Sequence, residues 1–213
     1  MTTVVVDYGA GNMLSVANAL AELGESARPA CVPADLEGAT RIILPGVGAM
    51  APAMRRLRET GLAGGLENKV RREGIPFLGI CLGMQMMCRA GFEGERTEGL
   101  GWIDGDVHAM SPSPPVWLVP NMGWCELAGR TAAPVFDGLR DNATFYFCHS
   151  YHADAPAGSQ IARVAFGADS GAVTAAVWRG NAIGVQFHPE RSGNNGLKLI
   201  ANFLSWDGSG RAW

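Results

Sequence analysis

Residues 75–88 read Ile75-Pro76-Phe77-Leu78-Gly79-Ile80-Cys81-Leu82-Gly83-Met84-Gln85-Met86-Met87-Cys88. The first four form a short apolar run of the kind that makes a buried strand, and Met84 to Cys88 reads as the first turns of a helix. A strand that enters a helix across G-x-C-x-G turns so sharply that only glycine fits on either side of the central residue. Cys81 is then held up at the carboxyl end of a sheet. It sits at a helix start, where unpaired N–H groups and the helix dipole favour a thiolate. Those N–H groups, that of Leu82 foremost, would also receive an oxyanion. The stretch predicts a nucleophile elbow carrying cysteine. Taken alone, it fits a small buried cysteine at a tight turn equally well.

A second motif decides between the two. Gly184-Val185-Gln186-Phe187-His188-Pro189-Glu190 follows an apolar strand pattern over 183–187. Pro189 biases His188 towards an extended backbone, and residues two apart in an extended segment share a face. His188 and Glu190 therefore point together. A cysteine nucleophile needs an imidazole to carry its proton and an acceptor to orient that imidazole.

Outward from the elbow the chain alternates. Residues 3–6 are an apolar strand ending at Asp7, followed by the turn Tyr8-Gly9-Ala10-Gly11-Asn12. A helix with Leu14, Ala17, Leu20 and Ala21 on one face comes next, closed by Gly24. The glycine spacing is not G-x-G-x-x-G, which argues against a dinucleotide site. Residues 41–44 are the next strand, ending in Pro45-Gly46-Val47-Gly48, where glycines flank one residue and leave its peptides free to rotate. Helical patterns around Met54 and Leu57, and through Leu62, Leu66 and Val70, lead back to the elbow. This alternation predicts a mostly parallel, doubly wound, flavodoxin-like α/β sheet with ligands at the carboxyl ends of its strands.

Beyond Gly91 short strands are expected at 116–119, 144–148, 161–166, 173–178 and 183–187, an antiparallel addition to the sheet. Pro120-Asn121-Met122-Gly123-Trp124 reads as a loop. His149-Ser150-Tyr151-His152 emerges where a strand stops. A last helix carries Leu197, Ile200, Ala201 and Leu204, and residues 207–213 read as a mobile tail.

The whole chain sets limits. Its 213 residues are 47% hydrophobic and only 17% charged, enough for a large core in one globular domain, residues 1–213. A net charge of −3 gives no basic footprint for nucleic acid. No apolar run is long enough to span a membrane, and no leader pattern opens the chain, so a soluble cytoplasmic protein is expected. Five scattered cysteines without C-x-x-C spacing suit a reducing compartment and argue against a disulfide framework or a zinc site.

With these residues in view, the chain resembles the class I, or triad, glutamine amidotransferases over essentially its whole length. Gly79-Ile80-Cys81-Leu82-Gly83-Met84-Gln85 and His188-Pro189-Glu190 carry the likeness to the class. Asp7-Tyr8-Gly9-Ala10-Gly11-Asn12, Leu44-Pro45-Gly46-Val47-Gly48, Met122-Gly123-Trp124, His149-Ser150-Tyr151 and the segment 186–193 make it most similar to the glutaminase subunits of imidazole glycerol phosphate synthases. The resemblance implies a nucleophile at Cys81, an acid/base at His188 and an orienting acceptor at Glu190. It implies that Gln85, the Gly46-Val47-Gly48 loop and His149-Ser150-Tyr151 hold glutamine. Leu82 N–H and a peptide of that loop would form the oxyanion hole. Tyr8, Asn12, Asn121, Met122, Trp124 and Arg191 would lie towards a TIM-barrel cyclase subunit in a heterodimer serving histidine synthesis, with no metal or cofactor needed. Asn121 stands where this subfamily usually has histidine, and Cys125 where asparagine is common. A different ammonia-using synthase, a freestanding cysteine hydrolase, or an idle binding subunit are the alternatives that the residues leave open.

Overall fold

A computed structural model describes residues 2–111, 118–165 and 172–213. The first half alternates as expected: β1 (Thr3–Val6), α1 (Met13–Glu22), β2 (Ala27–Ala30), β3 (Arg41–Gly46), α2 (Met50–Glu59), α3 (Leu62–Leu66), β4 (Phe77–Cys81) and α4 (Leu82–Met86). The second half holds β5 (Cys88–Glu93), β6 (Glu95–Glu98), β7 (Ile103–Ala109), β8 (Asn121–Glu126), β9 (Thr144–His149), β10 (Tyr151–Asp154), β11 (Gln160–Ala165), β12 (Ala172–Arg179), β13 (Ala182–Val185) and α5 (Gly193–Ser205).

The main sheet has seven strands in the order β11-β12-β13-β4-β3-β1-β2. From β2 to β13 all neighbours are parallel, and β12 and β11 add on antiparallel. The order reverses between β1 and β3, so the carboxyl ends of those strands open a crevice. Period-two alternation fills both faces. Val5, Ile43, Leu78 and Ile80 pack with Val16 and Leu20 of α1 and Leu199, Ile200 and Phe203 of α5. Val4, Val6, Ile42, Leu44 and Phe77 pack with Met54 and Leu57 of α2, Leu62 and Leu66 of α3, and Val70 just beyond it.

Several expectations need correction. The buried stripe of α1 is Val16, Ala19 and Leu20, while Leu14 is 70% exposed. Met13, Val16, Leu20 and Leu23 satisfy the same helical period, and burial of the larger Val16 and Leu20 against the sheet selects that face. The helix after the elbow ends at Met86, and Cys88 already begins β5. β5 belongs to a second sheet, ordered β10-β7-β5-β6, that the sequence pattern did not reveal. Residues 120–124 are not a loop: β8 begins at Asn121 and pairs antiparallel with β9. Of the strand expected at 116–119, residues 116 and 117 lie outside the described residues, as does Phe166, and Leu118 and Val119 are not in a strand. Residues 207–213, expected to be a mobile tail, make defined contacts. Trp213 stands edge-on to Trp102 at 6.1 Å, the Arg71 guanidinium lies 4.4 Å from its ring, and Gly180 N–H donates to Ala212 O.

Candidate active site

The elbow is built by close contact. A Cβ on Gly79 would stand 2.8 Å from the backbone of Gly83, and one on Gly83 would overlap the Leu44 carbonyl oxygen. Cys81 is the one non-glycine residue with positive φ among the described residues, at φ 54° and ψ −109°. Such a conformation costs roughly 1–3 kcal/mol and persists only where the surroundings enforce it. The two glycine contacts are that enforcement, and they place Cys81 at the end of β4, 6% exposed. The helix it opens has only five residues, so its dipole is weaker than the sequence pattern suggested. The free N–H groups of its first turn remain.

His188 follows β13, the strand beside β4. Its N–H donates to Tyr146 O at 2.9 Å, and its carbonyl accepts from Ser192 Oγ at 2.6 Å. Ser192 Oγ also accepts Tyr146 N–H at 3.0 Å. A Cβ on Gly196 of α5 would overlap the Pro189 carbonyl, so α5 packs directly on the His-Pro-Glu turn. His188 Nδ1–H donates to Glu190 Oε1 at 2.8 Å, and Cys81 is the other polar neighbour that acts on the ring. Burial alone would push the imidazolium down. The hydrogen bonds and charges of Cys81 and Glu190 outweigh it and raise His188 to about 10. The second oxygen of Glu190 is buried without a hydrogen-bond partner among the described residues.

Cys81 opens onto a cavity of about 440 Å³ lined by Leu82, Gln85, Val47, Gly48, His149, Ser150, Tyr151 and His188 among others. The residues expected to hold a ligand are thus brought together. Gly46 itself lies in β3, its register partner being Cys81. Gly48, at φ +90°, has open space around the position of a Cβ. Gln85 Nε2 donates to Tyr151 O at 2.9 Å and to Gln186 Oε1 at 3.0 Å. His149 Nδ1 faces Tyr151 O at 2.8 Å, which can only accept, so the proton sits on Nδ1. His149 Nε2 then accepts from Asn121 Nδ2 at 3.0 Å. Burial pushes His149 down to about 4, so it stays neutral.

The six residues expected towards a partner divide. Met122 is 63% and Trp124 58% exposed, on the outward face of β8. Arg191 is exposed, lies over the Tyr146 ring at 4.9 Å and lines the cavity, as does Asn12. Asn121 is instead 8% exposed and spent on His149; Cys125 Sγ approaches its Oδ1 at 3.6 Å, so the two unusual positions touch one another. Tyr8 is 1% exposed, its hydroxyl 2.7 Å from where a Gly46 Cβ would stand. Both are interior residues of this chain, because Tyr8 is roofed by the end of β3 and Asn121 by β9.

Glu93, on the cavity wall, and Gln186, buried beside Cys81, escaped the sequence reading. Glu93 of β5 lines the cavity and accepts Met50 N–H at 2.9 Å; a lone glutamate in a strand that was not foreseen carried no signal. Gln186 is wholly buried and donates to Cys81 Sγ at 3.6 Å. Its position two residues before His188, on the same face, was the available clue. Among the described residues no helix is long and apolar enough to cross a membrane, and no cluster of three or more His, Cys, Asp or Glu is placed to hold a metal ion.

Residues 4–206 match the family described as glutamine amidotransferase class-I, and the chain belongs to that family. Solved structures share the fold: a glutamine amidotransferase aligns with TM-score 0.74 at 20% identity, covering 98% of this chain and 100% of the other. A chain of PurLQS from Thermotoga maritima aligns with TM-score 0.73 at 20% identity, covering 96% and 97%. Within the class, the imidazole glycerol phosphate synthase subunit HisH of Cereibacter sphaeroides is 44% identical over 97% of this chain and 99% of its own length. The same subunit of Brucella abortus is 43% identical, and that of Rhodospirillum rubrum 42%, each over 97% of this chain and 99% of theirs. At such identities over nearly the full length, the chain's place in the class is with the HisH family.

Proposed function

We propose that this chain is the glutaminase subunit of an imidazole glycerol phosphate synthase and that Cys81, His188 and Glu190 are its catalytic triad. The observation that carries the reading is the buried Glu190–His188 hydrogen bond beside Cys81 at a strained elbow, with Cys81 and Glu190 both favouring the imidazolium of His188. A cysteine beside an imidazole that takes up its proton presents a thiolate to the substrate. Cys81 adds to the side-chain amide carbon of glutamine, and the oxyanion forms against Leu82 N–H and a peptide of the Gly46-Val47-Gly48 loop. His188 protonates the departing nitrogen, which leaves as ammonia. It then takes a proton from the water that cleaves the thioester to glutamate.

Gln85, Ser150 and Tyr151 hold the substrate beside neutral His149. Glu93 meets its ammonium, and Arg191 its carboxylate at the cavity rim. Ammonia passes to a TIM-barrel cyclase subunit docked over Met122, Trp124, Asn12 and Arg191, in a cytoplasmic heterodimer serving histidine biosynthesis.

A glutaminase that feeds a synthase gains by staying idle until its partner is loaded, since free ammonia in water is protonated and lost. The Gly46-Val47-Gly48 peptides can rotate between carbonyl-in and N–H-in states, and one missing oxyanion donor costs on the order of a hundredfold or more. Glutamate release by the purified chain is expected to be very low and to rise at least about a hundredfold with the nucleotide-loaded cyclase. Full activity of the chain alone would mark a freestanding hydrolase. Inactivity under both conditions would mark a binding subunit.

A further inference from the structure

Parallel pairing of β13 with β4 matches Val185 to Ile80, so the last residue of β4 and the first residue beyond β13 stand side by side at the carboxyl end of the sheet. Those residues are Gln186 and Cys81. Gln186 is 0% exposed, and a buried amide has to place two donors and an acceptor.

Hydrogen bonding fixes which way it faces. The Tyr151 carbonyl can only accept, so the group 2.9 Å from it is the Gln85 NH2. The same NH2 supplies its other hydrogen to Gln186 at 3.0 Å, which obliges the Gln186 oxygen to face Gln85. The Gln186 NH2 is then turned to Cys81 Sγ, 3.6 Å away. A reversed amide would set NH2 against NH2 and offer the sulfur an oxygen. A single polarised chain thus runs from the Tyr151 carbonyl through two amides to the nucleophile, and bonds in such a chain strengthen one another.

We propose that Gln186 is a donor to the Cys81 thiolate, oriented by Gln85, so that the residue lining the substrate cavity also sets the position and charge of the sulfur. The inference rests on Cys81 being the nucleophile. The titratable groups facing the sulfur are His188 from the turn after β13, Glu190 behind that ring, and Tyr8 from beneath Gly46. Gln186 is the neutral donor among them, and unlike His188 it keeps its hydrogens throughout the reaction. It can therefore donate to the thiolate before attack and again when hydrolysis of the thioester releases it.

The test is alkylation of Cys81 by iodoacetamide in the full-length chain, read on the Cys81 peptide by mass spectrometry from acid to alkaline pH. Gln186→Met keeps length without a donor, and Gln186→Glu keeps the acceptor towards Gln85. Both are expected to slow alkylation at neutral pH by about tenfold, the weight of one lost hydrogen bond to a charged group. Gln186→Glu should be the slower, and both deficits should close in alkali, where the thiol ionises without help. Wild-type rates, or a deficit equal at every pH, would overturn the proposal while leaving a fast-reacting wild-type Cys81 as nucleophile. A wild-type Cys81 no faster than the exposed Cys31 would count against the nucleophile itself. If either variant fails to fold, the Gln186 side-chain N–H resonances of the wild type decide. They should shift as the thiol titrates and be silent in Cys81→Ala; no shift in the wild type overturns the proposal.

Discussion

Cys81→Ala is expected to reduce glutamine hydrolysis, assayed with the loaded partner, by roughly 10³-fold or more while leaving the melting temperature near that of the wild type. The thiolate is the atom that forms the intermediate, so nothing replaces it. The fold does not need it, because the positive φ is imposed by Gly79 and Gly83 packing on neighbouring backbone. His188→Asn should lose nearly as much, since nucleophile and acid/base act as one unit. Glu190→Gln should lose less: it keeps an acceptor for Nδ1–H and loses only the charge that helps hold His188 raised to about 10. Glutamate release above background by the alanine variant would remove Cys81 from its role. Equal losses at all three positions would contradict the division of roles.

Gly83→Ala should act on the fold. Its new Cβ would overlap the carbonyl oxygen of Leu44 in β3, and a strand in the middle of the sheet cannot retreat. The expected cost is about 3 kcal/mol or more, at the upper end of overpacking effects. For a chain of this size that lowers the melting temperature by roughly 6–12 °C or prevents soluble expression. Gly64→Ala is the matched control: Gly64 is helical, has no neighbour within 4 Å of a Cβ, and should be neutral or slightly stabilised. Unchanged melting of the Gly83 variant would show that the elbow is not held by this contact.

The parts legible in the sequence are those whose cause is local. G-x-C-x-G states a backbone approach, and the structure meets it at Gly79 and Gly83. His188-Pro189-Glu190 states a shared direction, and the ring meets the carboxylate at 2.8 Å. What was hidden depends on partners distant in the chain. β7 is recognisable once Tyr151 of β10 pairs with Ala109, and the Asn121 strand once it pairs with His149. Asn121 and Gly123 carry poor strand propensity, and tertiary pairing overrides it. Tyr8 lies in a glycine-rich turn that reads as surface; only the end of β3 folding over it shows that it is interior. Gln186 lay inside a motif already quoted, yet its task is set by Cys81 and Gln85, about a hundred residues earlier.

Everything in the proposed reaction depends on a covalent bond between Cys81 and glutamine. Its most direct test is an acid quench of the chain turning over isotopically labelled glutamine with its loaded partner, followed by mass spectrometry of the Cys81 peptide. A glutamyl thioester on Cys81 is expected to accumulate in the steady state and to be absent from Cys81→Ala. Continued release of labelled glutamate with no label on Cys81, or with label on another residue, would contradict it.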